Sequence, residues 1–325
     1  TFDALLARPC GTSRPTWSER VRPRGEHLGQ RLASAGTGRR SRRRLAPLGM
    51  PMRIGSLCTG IAGLELGLQY AGIETKPVFV SDIAPGPCEW LEQAMPYTPN
   101  LGDFTQLDEL PECDIITAGF PCQPVSTAGK KQGIHDEEGR WIFGDICRLV
   151  SRMDSRPVLF LENVSGLLTA NSGDAMARVV HGLADIGYHI SWGTLPASAV
   201  GAPHQRLRWW GLATDSDGNG SKLVRRLNPV KRDANGRNGE RPRSRAAVFG
   251  GYWPAVARWE HILGRPAPDP TVAGRLNPAL VEWMQGYPEG WVTDILTNRR
   301  QALYALGNAV VPQCAAEAFL QLSTR

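Results

Sequence analysis

One cysteine of the chain stands in a setting that suits a nucleophile. The stretch GFPCQPVSTAGK places Cys122 behind Pro121, at the start of a loop rich in Gly and Ser. A free thiol has a pKa of about 8.5, so only a few per cent is thiolate at neutral pH. Exposure among backbone N–H groups raises that fraction, which makes Cys122 a candidate nucleophile. Five other cysteines are interpreted as packing residues: Cys58, Cys88, Cys113, Cys147 and Cys314.

An acid and two arginines follow further along the chain. The segment LFLENVSGLL places Glu162 and Asn163 at the end of an apolar run, where the carboxyl group could protonate a base. The segment PHQRLRWWGL holds Arg206 and Arg208 two residues apart, hence on one side of an extended chain. Each arginine taken alone is compatible with a solvated surface. A nucleophile, an acid and two arginines beside apolar runs together indicate one shared site.

A glycine-containing turn, SLCTGIAGLELGL, predicts a cofactor site. Gly60 and Gly63 allow a tight passage from strand to helix and a close approach of a ligand to the backbone. Asp82 follows 22 residues after Gly60, where a carboxylate can hold ribose hydroxyls, and Asp103 supplies another that can read an adenine amino group. A full G-x-G-x-x-G is absent. A site without a pyrophosphate, such as one for S-adenosylmethionine, tolerates that absence better than a NAD site does.

Short apolar strands that alternate with longer segments would position these residues. The runs RIGSLC, PVFVS, DIITA and PVLFLE each lead into a polar or Gly-containing turn, which predicts a parallel sheet covered by helices. Ligands bind such sheets at the carboxyl ends of the strands. Further on, Val256, Trp259 and Leu263 are spaced to share one helix face.

Length and composition indicate a soluble globular protein. With 325 residues, 42% of them hydrophobic and 21% charged, the chain can form one large α/β domain with an insertion or two smaller domains. No apolar run approaches a membrane span, and no signal-peptide core is present. The seven cysteines form no C-x-x-C pair, which argues against disulfides or a metal site and favours the cytoplasm.

The charge of the chain is unevenly distributed. Residues 1–51 hold 11 Arg against three acidic residues, a net charge of +8, and residues 222–245 hold nine Lys or Arg against two, a net charge of +7. Since the whole chain carries +6, the remainder carries −9. The second basic segment suits contact with phosphates, and a solvated loop is the alternative that charge alone leaves open.

Residues 1–51 are rich in Arg, Gly and Ser and are expected to be disordered. One hypothesis is that the residues before Met50 or Met52 are upstream sequence that is not translated in the native protein. The competing hypothesis is a tail that binds nucleic acid.

From Arg53 to its end, the chain resembles the C5-cytosine DNA methyltransferases, with the motifs in that family's usual order. SLCTGIAG is similar to the cofactor loop, with Cys58 where the family usually has Phe and Ala62 where it usually has Gly. GFPCQPVS and ENV match the nucleophile and glutamate motifs, and HQRLR resembles Gln-x-Arg-x-Arg with His204 in place of Gln. RLNPALVEWMQGYP and ALGNAVVPQ resemble the last two motifs.

This resemblance implies a mechanism on duplex DNA with S-adenosylmethionine as methyl donor. The Cys122 thiolate would add to C6 of a flipped-out cytosine, and Glu162, protonated because it is buried, would donate to N3. Arg208 would hold O2, and Arg206 would hold a phosphate or the catalytic loop. The nucleophilic C5 would then take the methyl group.

The resemblance also implies the cofactor contacts. Asp82 would bind the ribose, Ile83 would pack on the adenine where the family often has Trp, and Asp103 would meet the adenine amino group. The full predicted set is Cys58, Thr59, Gly60, Ile61, Gly63, Asp82, Ile83, Asp103, Phe104, Pro121, Asn308 and Val310. No metal is expected.

The fold implied by the resemblance is α/β, a Rossmann-like S-adenosylmethionine-dependent methyltransferase sheet with a small irregular target-recognition domain. The expected organisation is a disordered segment over 1–51, a catalytic and cofactor-binding domain over 52–213, a target-recognition region over 214–273 and a returning C-terminal segment over 274–325. Duplex DNA is the expected partner of a monomer that makes no membrane contact. Whether a cognate restriction endonuclease exists stays open.

Two alternatives remain. An RNA cytosine methyltransferase would share the cofactor fold and the cysteine chemistry, and some members of this DNA-enzyme family act on tRNA. A DNA-binding protein with a decayed active site is the second alternative. The intact Cys122, Glu162 and Arg208 argue against decay.

Overall fold

The computed structural model of the chain describes residues 50–121, 142–217 and 246–324. Its central element is a six-stranded sheet in the order β2-β1-β3-β4-β6-β5, and a two-stranded hairpin, β7-β8, stands apart from it. The strands are β1 (Met52–Leu57), β2 (Thr75–Phe79), β3 (Ile115–Gly119), β4 (Val158–Val164), β5 (Tyr188–Pro196), β6 (Leu207–Asp215), β7 (Thr271–Val272) and β8 (Arg275–Leu276).

Helices cover both faces of the sheet. Within the described ranges, the α-helices are α1 (Gly63–Tyr70), α2 (Pro85–Ala94), α3 (Ile142–Ser151), α4 (Asp174–Asp185), α5 (Ala246–Phe249), α6 (Trp253–Leu263), α7 (Pro278–Met284), α8 (Arg299–Asn308) and α9 (Pro312–Ser323). The 3₁₀ turns there are Phe104–Gln106, Ser165–Leu168, Ala170–Gly173, Ala197–Val200 and Gly250–Tyr252. The expected α/β fold with a Rossmann-like sheet is confirmed.

The sheet is parallel only in part. The four strands predicted from the apolar runs, β1 to β4, are parallel as expected. The sheet then continues with β6 and β5, which are antiparallel to their neighbours. β5 and β6 pair in antiparallel fashion because the connection between them is shorter than the dozen or more residues that a parallel crossover needs. As a result, β6 begins where β4 ends, with Arg208 opposite Val164.

Alternation along the strands divides the core into two layers. Phe160 of β4 and Trp210 of β6 face one layer, where their rings stack with centroids 5.8 Å apart and residues of α1, α6, α7 and α9 also pack. Leu161 and Trp209 face the other layer, which α3 and α4 cover. This sheet with helices on both faces holds the strand ends of the site in place.

Close contact between α1 and α9 depends on one glycine. A Cβ at Gly67 would lie 2.9 Å from the carbonyl oxygen of Pro312, too near for any larger residue. The last helix of the chain therefore packs directly on the first one after β1. This contact brings the C-terminal segment back to the beginning of the sheet.

The predicted helix around Trp259 is confirmed as α6. Val256 and Trp259 are buried in the same core layer as Trp210, and Leu263 packs against that layer. This part of the expected target-recognition region thus shares the main core. Residues 218–245, which include most of the basic insert, lie outside the described residues, so the boundaries at 214 and 273 stay a prediction.

Residues 1–49 also lie outside the described residues, so the hypotheses about them stay untested. Among the helices that the structure describes, none has the length and apolar character to cross a membrane. Within the same ranges, no group of three or more His, Cys, Asp or Glu side chains is arranged to hold a metal ion.

Candidate active site

The ends of three strands meet at one side of the sheet, which we call the catalytic edge: the carboxyl ends of β3 and β4 and the beginning of β6. Gly119 of β3 is paired with Glu162 of β4, and Trp210 of β6 is the partner of Glu162 on the other side. Because β6 is antiparallel, the residues at its start reach the same edge as the residues at the end of β4. The arginines and the acid therefore come together as the sequence predicted.

Glu162 and Arg208 form an ion pair at this edge. Arg208 Nε lies 3.0 Å from Glu162 Oε1, and both side chains are largely buried. Burial raises the pKa of Glu162 to about 7, although the positive charges of Arg208 and Arg206 oppose the rise. Protonated and ionised forms therefore coexist near neutral pH, as a general acid requires.

Asn163 ties the end of β3 to the end of β4. Its Nδ2 donates to the carbonyl oxygen of Phe120 over 2.9 Å, and the asparagine is buried. Pro121 is exposed and is the last described residue before Cys122. Cys122 lies outside the described residues, so its role as nucleophile stays a prediction. The described part of the site thus ends at the residue before the thiol.

Arg206 binds the C-terminal segment. Its Nη2 donates to the carbonyl oxygens of Gly307 and Ala309, over 3.0 and 2.6 Å. Two residues earlier, His204 Nε2 lies 3.1 Å from the carbonyl oxygen of Met284. These contacts join the start of β6 to α7 and α8. The expected contact of Arg206 with a phosphate or with the catalytic loop stays a prediction.

Residues 58–63, which we call the cofactor loop, connect β1 to α1 through unusual backbone. Cys58, Gly60 and Ala62 all have left-handed φ, at 52°, 59° and 57°. For the two residues with a Cβ this conformation costs about 1–2 kcal/mol each. Thr59 N–H donates to Ser81 O over 3.1 Å, which helps to hold the loop.

Asp82 joins this loop to the segment after β2. Its Oδ2 accepts from the Gly60 N–H over 2.8 Å, and its Oδ1 accepts from the Ala84 N–H over 2.9 Å. The 22-residue separation of Gly60 and Asp82 in sequence thus becomes a direct contact. Burial and the carboxylates of Asp82 and Asp103 raise the pKa of the neighbouring Cys58 thiol to about 12, so that thiol is neutral.

Two more predicted cofactor residues are open to solvent. Ile83 is 52% exposed, a large fraction for an isoleucine directly after a buried segment. Asp103 is exposed, and its Oδ1 accepts from Thr105 N–H over 3.0 Å, which begins the turn that contains the buried Phe104. An exposed apolar side chain and two carboxylates fit an adenosine group, whose ring needs an apolar contact and whose hydroxyl and amino groups need acceptors.

The C-terminal segment reaches the cofactor loop at Val310, whose contact with the cofactor stays a prediction. Tyr287 Oη donates to the Val310 carbonyl oxygen over 3.0 Å, and a Cβ at Gly63 would lie 2.7 Å from Val310 Cγ2. Gly63 thus serves close packing between segments. Asn308 is exposed at the end of α8, and its predicted cofactor contact stays a prediction.

Two tryptophans at the loop escaped the sequence analysis. Trp291 Nε1 donates to the Ile61 carbonyl oxygen over 2.9 Å, and Trp90 Nε1 donates to the Trp291 carbonyl oxygen over 2.6 Å. Buried tryptophans are frequent in cores, and no sequence motif distinguishes these two. Their contacts are seen only in the folded chain, where the two bonds join residues that are 230 and 201 positions apart in sequence.

Known proteins are similar to this chain in sequence. The chain is 30% identical to the Type II methyltransferase M2.BsuMI of Bacillus subtilis (strain 168), over 76% of this chain and 67% of that protein. It is 36% identical to the Type II methyltransferase M.BanI of Aneurinibacillus aneurinilyticus, over 49% of this chain. The match spans only 37% of the length of M.BanI.

Solved structures agree on the fold. A Dnmt2 methyltransferase of S. pombe aligns with a TM-score of 0.54 and 18% identity, over 84% of this chain and 98% of that chain. A mutant DNMT2 of Spodoptera frugiperda aligns with a TM-score of 0.57 and 17% identity, over 84% of this chain and all of that one.

The family model described as C-5 cytosine-specific DNA methylase matches residues 52–244. The chain therefore belongs to the C-5 cytosine-specific DNA methylase family.

Proposed function

We propose that this chain transfers a methyl group from S-adenosylmethionine to C5 of cytosine in duplex DNA. The observation that carries the proposal is Glu162, a buried acid with a pKa near 7, paired with Arg208 at the catalytic edge. Asn163 anchors Phe120, two residues before Cys122, at the same edge. Glu162 and the residues that directly precede Cys122 in sequence thus lie at adjacent strand ends.

The chemistry begins with the low reactivity of C5 in cytosine. The Cys122 thiolate adds to C6, so that an S–C6 bond forms, while Glu162 delivers its proton to N3 and offsets the developing negative charge. Arg208 holds the O2 oxygen. When bound, S-adenosylmethionine would supply the electrophilic methyl group that C5 receives and would leave as S-adenosylhomocysteine. Loss of the C5 proton to a base then breaks the S–C6 bond and releases the thiolate, and the proton on N3 returns to Glu162.

Residues of this chain would hold the cofactor. Asp82 accepts from the ribose hydroxyls with the lone pairs that Gly60 and Ala84 leave free, and Ile83 packs on the adenine. Asp103 accepts from the adenine amino group. The remaining predicted contacts come from the cofactor loop, Phe104, Pro121, Asn308 and Val310. The two carboxylates and the exposed Ile83 support this assignment.

Access to the base requires that it leave the duplex. C6 is hidden inside stacked DNA, and extrusion of one base costs a few kcal/mol. The basic segment 222–245 has the charge to bind phosphates, and the free energy of that binding would offset part of the cost of extrusion. We infer that this segment contacts the DNA backbone, and that the protein acts as a monomer in the cytoplasm. Its relatives are named Type II methyltransferases, which supports a role beside a cognate restriction endonuclease.

The test is the transfer of labelled methyl groups from S-adenosylmethionine to unmodified duplex DNA and, in parallel, to tRNA. We expect transfer to DNA by the wild type and none by Cys122→Ala, because the S–C6 bond can no longer form. Cys147→Ala, which alters a buried thiol on α3, is the matched control and should retain activity. Transfer to tRNA alone would favour the RNA alternative, and binding of DNA without transfer would favour the decayed enzyme.

A further inference from the structure

The cofactor loop needs support from outside itself. Cys58 and Ala62 hold left-handed φ although each carries a Cβ, and such residues persist only where the surroundings fix them. Asp82 fixes the front of the loop through Gly60 N–H. The back of the loop, at Ile61, is held by a different part of the chain.

Trp291 makes the contact at the back. Its indole N–H donates to Ile61 O over 2.9 Å, and its own carbonyl oxygen accepts from the indole of Trp90 on α2 over 2.6 Å. The rings of Trp90 and Trp291 lie 5.4 Å apart, and both side chains are buried. Residue 291 therefore bridges the cofactor loop and α2, the helix that follows Asp82 and Ile83.

Glu282 fixes the segment that carries Trp291. Its Oε1 accepts from Gly290 N–H over 2.8 Å, and its Oε2 accepts from the N–H groups of Val292 and Thr293 over 2.7 and 3.0 Å. The Thr293 hydroxyl also lies 3.4 Å from Oε2. The carboxylate is buried on α7 and its oxygens are engaged by backbone donors. Such a group is suited to fix a loop.

We propose that Glu282 and Trp291 are positioning residues for S-adenosylmethionine. Glu282 sets the conformation of residues 290–293, and Trp291 then holds the Ile61 carbonyl so that the left-handed residues keep the shape that receives the cofactor. That the cofactor is S-adenosylmethionine rests on the proposed function. The effect of Glu282 and Trp291 on the shape of the cofactor loop is independent of that function.

Trp291→Phe tests the contact while it preserves an aromatic ring beside Trp90. In the ligand-free protein, amide hydrogen exchange of residues 59–63 should accelerate roughly two- to tenfold, the range of one net hydrogen bond. By calorimetry, the Kd for S-adenosylmethionine should rise by a similar factor. The KM for this cofactor should follow, while kcat at saturating cofactor stays within about twofold.

Tyr188→Phe is the matched control. This variant also removes a buried side-chain bond to a carbonyl oxygen, 2.9 Å long and donated to Pro157 O, but Tyr188 lies on β5 and its hydroxyl bonds neither the cofactor loop nor α7. Its loop exchange and cofactor affinity should match those of the wild type. Equal loop exchange in Trp291→Phe and wild type, or equal acceleration in both variants, would overturn the proposal.

Glu282→Gln provides a second variant should Trp291→Phe fail to fold. An amide offers one acceptor oxygen where the structure has two, so at least one of the N–H groups at 290, 292 and 293 loses its partner. Exchange at 59–63 should again accelerate, and unchanged loop exchange would count against the proposal. If the wild type binds no S-adenosylmethionine, the proposed function fails, while the exchange rates still decide whether these residues hold the loop.

Discussion

Two buried glutamates of this protein have opposite surroundings. Glu162 at the catalytic edge is paired with the side chain of Arg208, whereas Glu282 on α7 accepts from backbone N–H groups. Burial raises the pKa of both, to about 7 for Glu162. The guanidinium of Arg208 opposes this rise in the pKa of Glu162 without cancelling it, so Glu162 can still gain and lose a proton.

The contrast shows how one fold separates chemistry from positioning. A group that must give and take a proton is placed where charge is costly and backbone donors do not saturate it. A group that must hold a loop is surrounded by N–H donors that leave it little capacity for a ligand. Substitutions at the catalytic edge should therefore change rates, and substitutions at the cofactor loop should change affinity and stability.

The largest effect is expected at the catalytic edge. Glu162→Gln removes the proton donor but keeps the size of the side chain, so kcat for methyl transfer should fall by about 10²–10⁴. The Kd for S-adenosylmethionine, measured by calorimetry, should stay within about twofold because the cofactor loop is intact. A fall in kcat of less than tenfold would contradict the role of general acid.

The same variant should change how stability depends on pH. In the folded wild type Glu162 has a pKa of about 7, against 4.5 ordinarily. Between these values the folded state holds a proton that the unfolded state has released, so the free energy of unfolding falls as pH rises. Glu162→Gln has no carboxyl group at this position, so its free energy of unfolding does not fall in this way. The free energy of unfolding of the variant minus that of the wild type should therefore increase by about 3 kcal/mol from pH 4.5 to pH 8.

Urea unfolding at several pH values measures this difference. Glu92→Gln, on the exposed side of α2, serves as the control for removal of a carboxylate. If the stability curves of Glu162→Gln and wild type run parallel across this pH range, folding does not shift the pKa of Glu162.

A smaller effect is expected at the cofactor loop. Gly63→Ala places a methyl group against Tyr287 Oη and 2.7 Å from Val310 Cγ2, where both neighbours are buried. The overpacked contact should lower the free energy of unfolding by about 1–3 kcal/mol and weaken S-adenosylmethionine binding. Thermal unfolding and calorimetry measure both. Gly251→Ala, at an open site, is the control, and an equal effect there would contradict the packing argument.

Local patterns in the sequence predicted much of this molecule. The strands β1 to β4 and the helix α6 follow from apolar runs and helical spacing, which depend on neighbours in sequence, so a single chain reveals them. The order of the motifs predicted further that Glu162 and Arg208 belong to one site, without the geometry that joins them. The antiparallel β6, which brings Arg208 beside the end of β4, was not predicted because pairing direction depends on the path of the whole chain.

The sequence by itself determined the residue types on which the proposed chemistry depends: a thiol at Cys122, an acid at Glu162 and a glycine-containing turn at residues 58–63, each in a motif that resembles those of the family. Only the tertiary structure decided how the loop is held. Trp291 meets Ile61 across 230 residues, and Glu282 fixes Trp291 through backbone donors. The physical reason is that each of these contacts joins a side chain to a backbone group, which every residue carries, so the residue type of the backbone partner does not encode the contact.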